Sequence, residues 1–173
     1  MNVVPERLAA FRVYLDGSTD LKGIADVKLP PLESMTETVK GAGIAGEYES
    51  PTLGHFKSMK LILSWRSVTS DMMKSLRQKA QRFECRGAFQ DYDAASGSYK
   101  IRQTRVVVQG ITTKTDPGKH ETGSPSDGST EIEVLYLKID IDGKTYAEID
   151  KLNYKCVIDG VDYLAAIRSA LGL

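Results

Sequence analysis

The residues that first invite a chemical reading are three glycines. Gly41, Gly43 and Gly46 spell G-x-G-x-x-G, the spacing with which a loop cradles a dinucleotide pyrophosphate. That chemistry needs a helix opening directly after the motif, so that free backbone N–H groups and the helix dipole meet the phosphates. The next residues are instead Glu47, Tyr48, Glu49, Ser50 and Pro51. Two carboxylates repel a phosphate, and Pro51 interrupts any helix begun at Gly46. The glycines therefore read as positions of positive φ or close backbone approach. Other reactive types are sparse. His55 and His120 lack ligand spacing, and two cysteines, Cys85 and Cys156, cannot make a structural zinc set. There is no G-x-S-x-G elbow, no H-E-x-x-H pair and no Ser-His-Asp set in a plausible context. No catalytic residue, cofactor or metal site is assigned. The cysteines read as buried free thiols of a reducing compartment, with a disulfide as the alternative.

The chain that must position any site has 173 residues, which suits one domain with a real core. Its 23 basic and 23 acidic side chains leave no bulk surplus for general binding to nucleic acid or membranes. The first residues lack the basic-then-apolar order of a signal peptide. No apolar run approaches the roughly 18 residues that span a bilayer, so no membrane anchor is expected.

Strands dominate the pattern. Residues 1–10 read as a polar lead-in, with room for a short helical turn, and Phe11 to Leu15 as a strand ended by the Asp16-Gly17 turn. Leu21 to Leu29 reads as a second strand stopped by Pro30-Pro31, and Glu33 to Lys40 as a third. Residues 41–54 then form a glycine-punctuated excursion with no helix or strand of its own, and Lys57 to Trp65 is a fourth strand. Thr69 or Ser70 can cap a helix in which Met72, Met73, Leu76 and Ala80 share the buried side. Arg82 to Asp91 and Ser98 to Thr112 form a hairpin, followed by a mobile surface loop at 113–128. Thr130 to Asp140, Lys144 to Ile149 and Leu152 to Ile158 are the last strands, punctuated by Asp142-Gly143 and Asp159-Gly160, and Val161 to Leu171 is a C-terminal helix. The whole is mainly β: an antiparallel sandwich or barrel with one internal helix and a short terminal one.

Tyr14-Leu15-Asp16-Gly17, Val27-Lys28-Leu29-Pro30, Val39 through Gly46, Ile141-Asp142-Gly143-Lys144, Glu148-Ile149-Asp150, Val157 through Asp162 and Ile167 through Leu173 follow one another in an ordered series. That series resembles the major tail tube proteins of contractile phage tails and phage-tail-like bacteriocins. The resemblance covers nearly the whole chain and implies a structural protein. Such subunits form six-membered rings through sheet edges and stack into a tube. A contracting sheath drives that tube through a bacterial envelope. The implied partners are further copies of the chain, sheath protein outside, tape-measure protein and possibly DNA inside, and baseplate and terminator proteins at the ends. The implied setting is a virion tail or released bacteriocin particle, assembled in the host cytoplasm.

Within that frame, residues 41–54 are expected to be an inter-subunit arm bearing Gly41, Gly43, Ile44, Gly46, Tyr48 and Leu53. Two hairpins, Leu21 to Lys40 and Arg82 to Thr112, are expected to line the channel. With apolar positions turned inward, alternation leaves Lys22, Asp26, Lys28, Thr36, Arg82, Glu84, Arg86, Lys100 and Arg102 as channel-lining residues. That wall is more basic than acidic, which suits a DNA conduit only if acids pair off the cations across strands. The competing reading, from a different class, is a monomeric β-barrel holding a small ligand inside.

Overall fold

The computed structural model describes residues 2–17 and 19–173; Met1, part of the expected lead-in, lies outside the described residues. Ten strands make one antiparallel sheet in the order β12-β11-β10-β9-β8-β7-β1-β2, with β6 joined to β9 and β3 to β6. The strands are β1 (Val3–Leu15), β2 (Thr19–Asp20), β3 (Ile24–Lys28), β4 (Ser34–Lys40), β5 (Glu47–Phe56), β6 (Lys60–Trp65), β7 (Gln81–Asp93), β8 (Ser98–Asp116), β9 (Gly128–Ile141), β10 (Lys144–Asp150), β11 (Lys155–Ile158) and β12 (Val161–Asp162). Helix α1 spans Ser70–Lys74 and α2 spans Ala165–Leu171. Strands β4 and β5 stand apart as a two-stranded hairpin.

Strand β9 turns the sheet back on itself. Its first half pairs with β6 through Leu61 and Ile132, and its second half pairs with β10 through Leu137 and Ile149. Val13 and Leu15 of β1, Phe83 and Cys85 of β7, and Val106 and Val108 of β8 share one face and meet Met59, Leu61, Leu63 and Trp65 in a single core. The Trp65 indole N–H donates to Thr130 Oγ1 at 3.0 Å, which satisfies the one polar atom of the largest buried ring. Cys85 and Cys156 are free and buried. Burial, with Glu84 adjacent, pushes the Cys85 thiol up to about 12, so it packs as an inert apolar group.

The fold class expected from the sequence is the one observed, and the local turn chemistry is too. Asp16-Gly17, Asp142-Gly143 and Asp159-Gly160 all have positive φ at both residues, the geometry of tight hairpin turns. Several boundaries move. The expected polar lead-in is strand β1, extended back to Val3 because β7 offers it a partner along its whole length; Pro5 is accommodated beside a register shift. The expected second strand, Leu21 to Leu29, breaks at Gly23, whose φ is +89°, so only Ile24–Lys28 is strand, and it pairs with β6 rather than with Glu33 to Lys40. The region 21–40 is therefore not a hairpin. The stretch 41–54, expected to lack structure, is a turn over 41–46 followed by β5. Strand β8 runs on to Asp116 and β9 begins at Gly128, so the expected loop at 113–128 shortens to residues 117–127. At the end, the expected helix from Val161 to Leu171 divides into β12 and α2.

Helix α1 is much shorter than its apolar spacing suggests. Thr69 caps it through the Met72 N–H, as expected. It stops because tertiary side chains take its terminal carbonyls: Gln81 donates to Lys74 O, and the Thr112 hydroxyl donates to Ser75 O. Met72 is fully buried, whereas Met73 and Leu76, both expected in the core, are 42% exposed.

Candidate assembly surfaces

Three surfaces stand out, and none is a catalytic pocket. The first is the face of β1, β7, β8 and β9 turned away from the core. Cross-strand register places Arg12 and Tyr14 beside Arg86 and Glu84, then Arg105 and Val107, then Asp140 and Lys138. This face is hollowed by a depression of about 740 Å³ between Arg12, Arg86, Arg105 and Asp140.

Its charges are organised around Glu84, a carboxylate only 3% exposed. Arg105 donates to it with two nitrogens, Nε to Oε1 at 2.9 Å and Nη2 to Oε2 at 3.1 Å. Arg86 donates to Oε1 from the other side, and Arg82 approaches to 4.0 Å. Arg105 foremost, and then Arg86, hold the Glu84 carboxyl below its ordinary value despite burial. Asp140 takes up the next cations, Arg105 at 3.7 Å and Lys138 at 3.9 Å. Val107 is 3% exposed on this polar face, among the side chains of Arg82, Arg105 and Lys138. Nearby, burial and the bond from its hydroxyl to Glu148 push Tyr136 up to about 12.

The expected channel residues divide among separate surfaces. Arg82, Glu84 and Arg86 share the hollowed face. Lys100 and Arg102 do not: they lie opposite Asp91 and Phe89, on the same side of the sheet as Phe83 and Cys85. Lys100 pairs with Asp93, and Arg102 makes two bonds to Asp91. The parity expected for β8 is therefore inverted over this stretch, because the run Val106-Val107-Val108 is apolar on both sides and carries no alternation. Lys22, Asp26 and Lys28 sit on or beside β3 in the other layer, and Thr36 belongs to the β4–β5 hairpin. Sequence reasoning missed Arg12, Arg105, Lys138 and Asp140, which only the strand register gathers.

The second surface is an open sheet edge. Strand β1 is paired with β7 throughout, but on its other side β2 covers only Tyr14 and Leu15. The backbone of residues 3–12 thus presents a strand edge without a ladder partner among the described residues.

The third is the β4–β5 hairpin. Gly41, Gly43 and Gly46 carry its turn with positive φ, and nothing lies near where their side chains would be. Ile44, Tyr48 and Leu53 are exposed along it, as are Met35 and Leu32. Its base is fixed: Lys57 N–H donates to Glu33 O at 2.8 Å, and the Lys57 ammonium meets the Glu33 carboxylate at 2.6 Å. Gly54 has φ +69°, and a side chain there would collide with Leu164.

Among the described residues there is no cluster able to hold a metal ion and no helix long and apolar enough to cross a membrane. The family model for phage tail tube protein FII matches residues 5–172. The major tail tube protein of Serratia phage KSP20 is 26% identical over 171 residues, covering 98% of each chain. The tail tube protein of Escherichia phage P2 is likewise 26% identical, covering 98% of this chain and 99% of its own. Two solved structures share the fold. The sheath/tube terminator of an extracellular contractile injection system superposes with a TM-score of 0.52 at 11% identity, covering 79% of this chain and 96% of its own. The sheath–tube complex of that system gives 0.51 at 13% identity, covering 79% and 91%. From its length-wide match to the family model, the chain belongs to the phage tail tube protein FII family, and it is a structural protein rather than an enzyme.

Proposed function

We propose that this chain is the repeating subunit of the inner tube of a contractile phage tail or a related particle, forming six-membered rings that stack around a channel. The observation that carries the reading is the open edge of β1 over residues 3–12, in a chain whose whole length matches tail tube proteins. A long strand edge left bare is an aggregation hazard unless another chain completes it. Closure of the sheet from copy to copy removes that edge, and a head-to-tail contact of this kind closes into a ring when the rotation suits.

In the ring, the hollowed face of β1, β7, β8 and β9 becomes the channel wall. Arg105 pairs across strands with Glu84 and Asp140, while Arg86 pairs with Glu84 along β7 and Lys138 with Asp140 along β9, so fewer cations remain to grip a phosphate backbone as cargo moves past. The arm spanning residues 41–54 reaches a neighbouring copy. Sheath protein surrounds the tube, tape-measure protein and in a phage DNA pass through it, and baseplate and terminator proteins close its ends. The particle is a virion tail or a released bacteriocin assembled in the host cytoplasm, and sheath contraction drives the tube through the target envelope. The monomeric ligand barrel is disfavoured by an interior filled with Trp65, Phe83, Met59, Leu61 and Leu137.

Negative-stain imaging of the purified chain tests the proposal. Rings or tubes of constant diameter are expected. A folded protein that stays monomeric at every concentration, with particles neither seen nor pelleted, would refute it.

A further inference from the structure

We propose that the acidic β4–β5 hairpin of one copy docks on the basic patch around α1 of a second copy. The inference rests on the assembly reading above and names the surface that receives the arm. The chain is neutral overall, but its charge is segregated. Residues 33–49 carry Glu33, Glu37, Glu47 and Glu49 against Lys40 alone. Residues 66–79 carry Arg66, Lys74, Arg77 and Lys79 against Asp71 alone.

Internal pairing leaves much of this charge unused. Glu33 is taken by Lys57, and Lys74 by Asp71. Among the described residues, Glu37, Glu47 and Glu49 make no ion pair, nor do Arg66 and Lys79, and Arg77 reaches only Asp16 at 3.8 Å. Each surface also bears exposed apolar side chains: Met35, Tyr48 and Leu53 on the hairpin, Val68, Met73 and Leu76 beside α1. Apolar contact inside a rim of opposite charges is the composition of a specific protein interface. Among the described residues the hairpin moreover has no third strand, and a two-stranded ribbon is marginal in water unless something covers it. The register puts Glu37 on one face with Tyr48, and Glu47 and Glu49 on the other, so a clasp around the ribbon uses both. Because the arm and the patch are different surfaces, the contact is head-to-tail and propagates from copy to copy.

The test is a charge exchange in the full-length chain. One variant carries Glu37→Lys with Glu49→Lys, a second carries Arg77→Glu with Lys79→Glu, and a third carries all four. The readouts are the fraction that pellets as tubes, imaging, and circular dichroism for folding. Each two-residue reversal is expected to lower the pelleted fraction about tenfold, and the four-residue exchange to restore it to within about twofold of the parent. Normal assembly by either reversal alone overturns the proposal, as does a folded four-residue variant that fails to recover. Should a reversal unfold, Glu37→Gln with Glu49→Gln gives the same answer through salt: tube yield should lose its salt dependence in that variant, and an unchanged dependence refutes the contact. Replacing residues 42–53 with a Gly-Ser linker separates the two readings. Tubes from that protein refute the arm itself; loss of tubes there, without rescue by charge exchange, refutes only the α1 patch as its receiver.

Discussion

Glu84 shows how one side chain organises a surface. A carboxylate this buried is tolerable only because Arg105 and Arg86 bond to it directly. Glu84→Gln keeps the shape and removes the charge. At pH 7 it is expected to destabilise the fold by about 1–3 kcal/mol, the range for hydrogen bonds to charged groups. The sign with pH comes from the direction of the shift. The folded value is held below the ordinary 4.5, so the contribution is full above that pH and is lost as pH falls through the lowered folded value. Thermal midpoints of parent and variant should therefore differ most at pH 7 and converge below about pH 4.5. A gap that stays constant into acid would mean that the ionised carboxylate is not what stabilises.

At the scale of elements, α1 and the hairpin base are decided by what packs against them. Met72 is fully buried, and Met72→Ala should cost about 2–5 kcal/mol, the range for emptying a buried site. Leu76 is exposed, and Leu76→Ala should change stability of the isolated subunit by no more than about 0.5 kcal/mol. Chemical denaturation of the pair checks both, and equal losses would place Leu76 in the core after all. At the hairpin base, Gly54→Ala forces a non-glycine residue to positive φ and drives its methyl into Leu164. A loss of roughly 1–3 kcal/mol is expected, the cost of such strain, and a neutral result would show that Leu164 yields freely.

At the scale of the molecule, the proposed function asks the same subunit to be stable alone and incomplete alone. One core serves the first need, and the open β1 edge and the standing hairpin express the second. Replacement of residues 42–53 by a flexible linker removes no core side chain, so a folded monomer unable to build tubes is expected by imaging and pelleting. Lys138 lies on the hollowed face away from the open edge, and Lys138→Ser should assemble into tubes of ordinary diameter. Failure of that variant to assemble while folded would place Lys138 at a contact between copies and not on the proposed channel wall.

Local chemistry was legible in the chain itself. Asp-Gly pairs specify tight turns because those two residues accept positive φ, and the alternation of Phe83 and Cys85 with Arg82, Glu84 and Arg86 specifies one buried and one polar face. The positive-φ turn at residues 41–46 was visible as a glycine run, and the order of motifs along the chain pointed to the tail tube family. What depended on partners far away in sequence was not legible. Pairing with β7 made a strand of residues 3–10, pairing with β4 made one of residues 47–56, and Gln81 and Thr112 ended α1 after Lys74. The polar face was decided in the same way. Val106, Val107 and Val108 give β8 no parity of its own, and only its register against Glu84 sets Arg105 on the hollowed face and Arg102 on the other. Alternation within a strand is a local property of the backbone, whereas the partner that turns one side of it into a surface comes from strand register, which only the folded sheet supplies.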